Sequence, residues 1–174
     1  MPRKNLLALL GGEDRRSIGH SDQVAAIVSK TPSLFPQLIT GLWSKDPLVR
    51  MRAADAAEKV SRENPELLQP HKHELLSLMA ETEEQELCWH LAAMVPRLSL
   101  TSRECQCAAA QLRNYLESRS SIVKTSALQG LADLAKIDPD LRPETIKILR
   151  KAARSGTPAM KARSRKLQHR LECS

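Results

Sequence analysis

An internal repeat of 36 to 38 residues constrains the fold of this sequence more than any other feature. One segment occurs four times, beginning at Val49, Leu87, Val123 and Met160 and ending at Val60, Leu98, Leu134 and Leu171. The starts and the ends are both separated by 38, 36 and 37 residues. A fixed period of this length is typical of proteins that stack one small structural unit upon the next.

A second periodic signal lies in phase with the first. Each period also has a polar residue that can accept a hydrogen bond at the N-terminus of its first helix, namely Thr31, Asn64, Thr101 and Asp138. Proline follows three of them, at the first helical position, where no backbone N–H is needed. Each period therefore predicts a capped first helix, a short polar turn and a second helix.

The apolar residues of each second helix recur at positions i, i+4, i+7, i+8 and i+11, which places them in one stripe on a helix of 3.6 residues per turn. A single helix pair cannot bury such stripes, whereas stacked neighbours can. Leu, Ala and charged helix formers dominate the composition, and aromatic residues make up only 2% of the chain. The low aromatic and β-branched content argues against sheets, so the sequence predicts an all-α fold.

The turn and second helix of the first full repeat, Asp46-Pro47-Leu48-Val49-Arg50 and the residues up to Ala56, resemble the HEAT repeat. The resemblance covers roughly residues 31–171. It implies a right-handed α-α superhelix, or solenoid, of about four helix pairs, similar to small bacterial HEAT-repeat proteins. It also implies that Arg50 pairs with the turn residue Asp46. Cys88 stands where the family has Arg, and Lys124 and Lys161 keep the charge.

A single domain over residues 1–174 follows from this interpretation. It consists of a degenerate N-terminal pair (1–30, with short helices at Asn5–Leu10 and Asp22–Ser29), three repeats (31–62, 64–98 and 101–135) and a basic C-terminal capping repeat (138–174).

The resemblance further implies a non-enzymatic module that binds a partner protein on the face formed by its second helices. Residues beside the apolar stripe are the candidates for this partner-binding face: Arg52, Asp55, Lys59, Trp89, His90, Arg97, Gln129, Arg163, Lys166 and Arg170. Trp and Arg are frequent anchors at interfaces. A solvated helix face would also carry such charges, and Trp89 could equally fill a groove between helices, whereas Trp43 is expected in the core.

The distribution of charge along the chain leaves nucleic-acid binding open as an alternative function. Residues 142–174 hold ten Lys or Arg and two Asp or Glu, a net +8, whereas residues 1–141 hold seventeen and eighteen, a net −1. A basic strip that includes Arg52, Arg97, Lys161, Arg163, Lys166 and Arg170 could contact the phosphates of a nucleic acid. The scarcity of aromatic stacking platforms argues against this alternative.

Other function classes find little support in the sequence. His71 and His73 lie two residues apart and do not share a helix face, so no metal site is expected. No catalytic motif or cofactor-binding loop is present, and only a distant analogy with HEAT-like DNA glycosylases or lyases favours catalysis. No apolar run reaches the length of a membrane span, and Cys88, Cys105, Cys107 and Cys173 are interpreted as reduced thiols of a cytoplasmic protein.

Overall fold

The computed structural model describes residues 6–11 and 20–173. All regular structure within these residues is helical, which confirms the predicted all-α class. The helices are α1 (Leu6–Leu10), α2 (Ser21–Lys30), α3 (Phe35–Gly41), α4 (Pro47–Glu63), α5 (Lys72–Glu81), α6 (Gln85–Met94), α7 (Ser102–Tyr115), α8 (Ser121–Ile137), α9 (Arg142–Ser155) and α10 (Pro158–Glu172).

The four second helices of the repeat are α4, α6, α8 and α10, and each begins two residues before the repeated segment. The two short N-terminal helices occur as predicted, although Asn5, Gly12 and Gly19 lie outside the described residues. The chain divides into two compact units, residues 1–72 and residues 73–174.

Helix α4 is the centre of unit 1, and α1, α2 and α3 all pack against it. Its apolar stripe is rich in alanine, with Ala53, Ala56 and Ala57 fully buried, so neighbouring helices can approach closely. The larger side chains of the core come from the other helices, including Leu6, Leu10, Val24, Phe35 and Leu38.

Helix α8 has the same central place in unit 2, because α6, α7, α9 and α10 all contact it. Its inward positions include Ala127, Leu131 and Gly130, all of them buried. A Cβ atom built on Gly130 would lie 2.8 Å from the carbonyl oxygen of Ala92 and 2.9 Å from Leu112 Cδ1. Only a residue without a side chain leaves room for α6 and α7 to pack this closely on α8.

The predicted helix caps are confirmed at two of four places. Thr101 forms a capping box with Glu104, in which each side chain accepts a hydrogen bond from the other residue's backbone N–H. Asp138 accepts from the N–H of Asp140 at the start of a 3₁₀ turn that leads into α9. Hydrogen bonds from the Ser102 hydroxyl and from this N–H lower the pKa of Asp138.

The cap prediction is wrong for Thr31 and Asn64, whose side chains make no cap hydrogen bond. The chain enters the following helices through 3₁₀ turns in which the backbone carbonyls of these residues accept instead. The side-chain amide of Asn64 donates back to the carbonyl of Val60 in α4. The residue therefore serves the end of one helix rather than the start of the next.

The prediction that Trp43 is a core residue is also wrong. Helix α3 ends at Gly41, and Trp43 falls in the following turn with 49% of its surface exposed. A two-residue shift of the helix end is enough to move a side chain off the buried face.

Tyr115 connects α7 to α5, because its hydroxyl donates a 2.9 Å hydrogen bond to the carbonyl of Met79. Burial raises the pKa of Tyr115 far above its ordinary value of 10.0, and the adjacent Cys88 raises it further. Burial likewise raises the pKa of the Cys88 thiol.

The pKa of Tyr115 predicts a pH dependence of stability. Above pH 10 the unfolded chain ionises at this tyrosine while the folded protein keeps the proton, so the free energy of unfolding falls as pH rises. Above pH 10, we expect the free energy of unfolding of the wild type to fall by about 1.4 kcal/mol more per pH unit than that of Tyr115→Phe. Urea unfolding of both proteins at a series of pH values measures the difference, and parallel curves would contradict the prediction.

Candidate partner-binding surface

The three second helices of unit 2 pack side by side in chain order, with α8 in contact with both α6 and α10. The candidate residues on them form what we call the second-helix face of unit 2: Trp89, His90, Gln129, Arg163, Lys166 and Arg170. They range from half-buried on α6 and α8 to exposed on α10.

Arg52 is placed differently from a surface residue, since it is only 3% exposed. Its guanidinium donates hydrogen bonds of 2.8 and 2.9 Å to the carbonyls of Leu10 and Gly11, at the C-terminal end of α1. This contact satisfies carbonyls that the helix itself leaves without a partner. Because its guanidinium is enclosed, we leave Arg52 out of the proposed binding surface.

Asp55 and Lys59 form a network with α2. Lys59 donates to both Asp55 and Asp22, and the hydroxyl of Ser21 donates to Asp55 at 2.6 Å. Burial alone would lower the pKa of Lys59, but its hydrogen bonds with the two aspartates outweigh burial and raise it. These charges hold α2 on α4, so in unit 1 all three predicted site residues make contacts within the fold.

Trp89 and His90 lie together on α6. Their rings meet edge to face, with centroids 5.4 Å apart and an interplanar angle of 82°. The indole nitrogen of Trp89 is enclosed, and it has no hydrogen-bond partner among the residues that the structure describes. Part of the ring remains exposed, so Trp89 both packs on the fold and offers apolar surface. Arg97, which follows in a 3₁₀ turn after Pro96, is half-buried.

Gln129 connects α8 with α10. Its side-chain oxygen accepts a 2.8 Å hydrogen bond from Arg163, and its amide donates to Asp133 one turn further along α8. Asp133 also pairs with Lys136 at 3.2 Å. The carboxylate of Asp133 is thus shared between Gln129 and Lys136. The guanidinium of Arg163 is bonded to a neutral amide, and Arg163 is exposed to solvent.

Acidic residues are rare in the segment that forms α9 and α10. The only two acidic residues of the segment from 142 to 172 are both engaged, Glu144 with Arg113 and Glu172 with Arg150, each at 3.0 Å. Lys166 has no hydrogen bond or ion pair with any described residue. Arg163, Lys166 and Arg170 lie at i, i+3 and i+7, on one side of α10.

Ile122 is not among the residues predicted from the sequence, yet it is 52% exposed in the first turn of α8. It precedes Val123, the first residue of the buried stripe, and therefore stands just outside it. An apolar residue one position ahead of the stripe is the signal that could have identified it. Ile122 therefore adds an exposed apolar side chain to α8, the helix that packs between α6 with Trp89 and α10 with its cations.

The cysteine thiols and the possible metal ligands do not form a site in the described part of the chain. Cys88 and Cys105 are buried, Cys107 and Cys173 are exposed, and all four are free thiols. The described residues include no group of three or more His, Cys, Asp or Glu side chains placed to hold a metal ion. No helix in the described part of the chain is long and apolar enough to cross a membrane.

No protein-family model matches the chain, and no curated protein is significantly similar to it.

Proposed function

We propose that this chain is a non-enzymatic interaction module of the HEAT type, and that the second-helix face of unit 2 binds an acidic segment of a partner protein. The row of exposed cations on α10, Arg163, Lys166 and Arg170, is the observation that carries the proposal. The order of α6, α8 and α10 in unit 2 supports a solenoid-like stacking of helix pairs.

Charge and apolar area occur together on this surface, which favours a polypeptide as the partner. Cations on α10 complement acidic side chains, and Ile122 and Trp89 offer the apolar contacts that commonly anchor an interface. Three neighbouring helices at ~10 Å spacing give a width suited to one helix or extended segment.

Charge reversal on α10 tests the proposal. We expect a variant with Arg163→Glu, Lys166→Glu and Arg170→Glu to lose partners captured by the wild-type protein, with affinity for a purified partner falling at least about tenfold. Quantitative affinity capture identifies the partners, and calorimetry with the purified partner measures the loss.

A control variant of equal charge separates this surface from net charge. Arg119, Lys147 and Arg154 are exposed residues of unit 2 outside the second-helix face. Reversal of all three to Glu should leave partner affinity unchanged. Equal losses in both triple variants would contradict a specific surface on α10.

Nucleic acid is a second candidate, favoured by the ten basic residues of segment 142–174. Arg165 and Lys166 are both exposed although they point about 100° apart around the helix, so the positive charge extends around α10 rather than along one strip. Fluorescence anisotropy with labelled duplex and single-stranded oligonucleotides tests this alternative. Three phosphate contacts through Arg163, Lys166 and Arg170 would give a slope of log affinity on log salt of about −2.7 on duplex DNA.

A further inference from the structure

A cleft of about 430 Å³ lies in unit 2, beside the turns that join α7 to α8 and α9 to α10. Its volume falls in the range of small-molecule sites. Apolar side chains form part of its lining, namely Leu116 directly after α7, Leu128 of α8, Ile148 and Ala152 of α9, and Met160 of α10. The cleft is separate from the candidate residues of the second-helix face, none of which lines it.

Lys124 lines this cleft and lacks the turn contact that is made at the equivalent repeat positions of α4 and α6. Arg50, at the same position of α4, donates to the turn carbonyls of Ser44 and Lys45, and Cys88 of α6 donates to the carbonyl of Thr82. The side chain of Lys124 makes no hydrogen bond or ion pair with a described residue, although the residue is half-buried. The chain thus supplies no counter-charge to this ammonium group, and an anion bound in the cleft would supply one.

Lys151 supplies a second ammonium group to the same cleft from α9. Its side chain also lacks a partner among the described residues, and it is exposed. Of the other charged lining residues, Arg113 and Glu144 pair with each other at 3.0 Å, which leaves the exposed Glu117 as the single unpaired carboxylate. Two unpaired cations against one unpaired anion give the cleft a net positive charge.

Helix α10 begins at the cleft, where Thr157 caps it through the N–H of Met160. The positive end of the α10 dipole adds to the field of the two lysines. Charge, volume and apolar lining therefore specify the same kind of occupant, an anion attached to an apolar body.

We propose that this cleft is a binding site for an amphipathic organic anion, whose carboxylate or similar head group contacts Lys124 and Lys151 and whose apolar body packs on Leu128, Ile148 and Met160. The site is independent of partner binding on the second-helix face.

Titration of the ¹⁵N-labelled full chain with octanoate, followed by amide chemical shifts, tests the site. We expect saturable shifts at Ser155, Gly156 and Thr157, which line the cleft. The neutral analogue 1-octanol should bind about tenfold more weakly, because it lacks the charge that the lysines contact. The double variant Lys124→Gln, Lys151→Gln should weaken octanoate binding by about tenfold as well.

Lys147→Gln is the matched control, since Lys147 is an exposed residue of α9 that does not line the cleft. It should bind octanoate like the wild type, and so should the α10 triple reversal, even if that variant loses its protein partner. Equal affinity for octanoate and 1-octanol, shifts confined to residues away from the cleft, or unchanged binding by the folded double variant would each overturn the proposal. The dispersion of the amide spectrum reports that each variant is folded.

Discussion

Arg52→Ala should lower the free energy of unfolding by about 3 kcal/mol, since it removes a charged donor that serves two enclosed carbonyls. The guanidinium of Arg52 bonds the carbonyls of Leu10 and Gly11, and the side chain is 3% exposed. Its loss leaves these acceptors without their donor and opens a cavity beside α1. Urea denaturation followed by circular dichroism measures the effect.

Arg103→Ala is the control for this change, because Arg103 is exposed on α7 and should alter stability by no more than about 0.5 kcal/mol. Arg52→Lys should fall between the two, since a lysine keeps the charge but lacks the planar fork that reaches two acceptors. An Arg52→Ala protein as stable as Arg103→Ala would show that α1 does not depend on this contact.

Gly130→Val should cost about 3 kcal/mol, because α8 has no space for a side chain at this position. A Cβ atom alone would lie 2.8 Å from the backbone oxygen of Ala92, and a backbone atom cannot move aside as the end of a side chain can. Gly130→Ala gains about 1 kcal/mol in helix propensity yet should still be destabilising overall.

Ser126→Ala, one turn earlier on α8, is the matched control and should be close to neutral. Thermal unfolding of the three variants ranks their stabilities. A Gly130→Ala protein more stable than the wild type would mean that α6 moves away from α8 at little cost, contrary to the tight packing described for unit 2.

The helices could be predicted from the sequence because their signals are local and repeated. The apolar stripe beginning at Val49 or Val123 identifies a second helix with no knowledge of its neighbours. Cap geometry was less predictable, because Asn64 can serve either the preceding or the following helix and only the path of the chain decides between them. The wrong prediction for Trp43 has a similar origin, since α3 ends two residues earlier than expected and the side chain is exposed instead of buried.

The candidate site was harder to predict than the fold. A charged residue beside an apolar stripe has the same sequence signature whether it faces solvent or closes a contact within the fold. Arg52 and Lys59 make internal contacts through Leu10 and Asp22, which lie 42 and 37 residues away in sequence, so no local pattern could reveal them. Lys166 on α10 has the same local signature as these residues, and only its exposure in the folded chain distinguishes it from them.

The positions of the two tryptophans have a practical consequence. Trp43 belongs to unit 1 and is largely in water, whereas Trp89 belongs to unit 2 and is partly enclosed beside His90. Each unit therefore contains its own intrinsic fluorophore, and the two emit from surroundings of different polarity. Proteins that retain a single indole, made by Trp43→Phe or Trp89→Phe, would reveal whether the two halves of the chain melt in one step or separately.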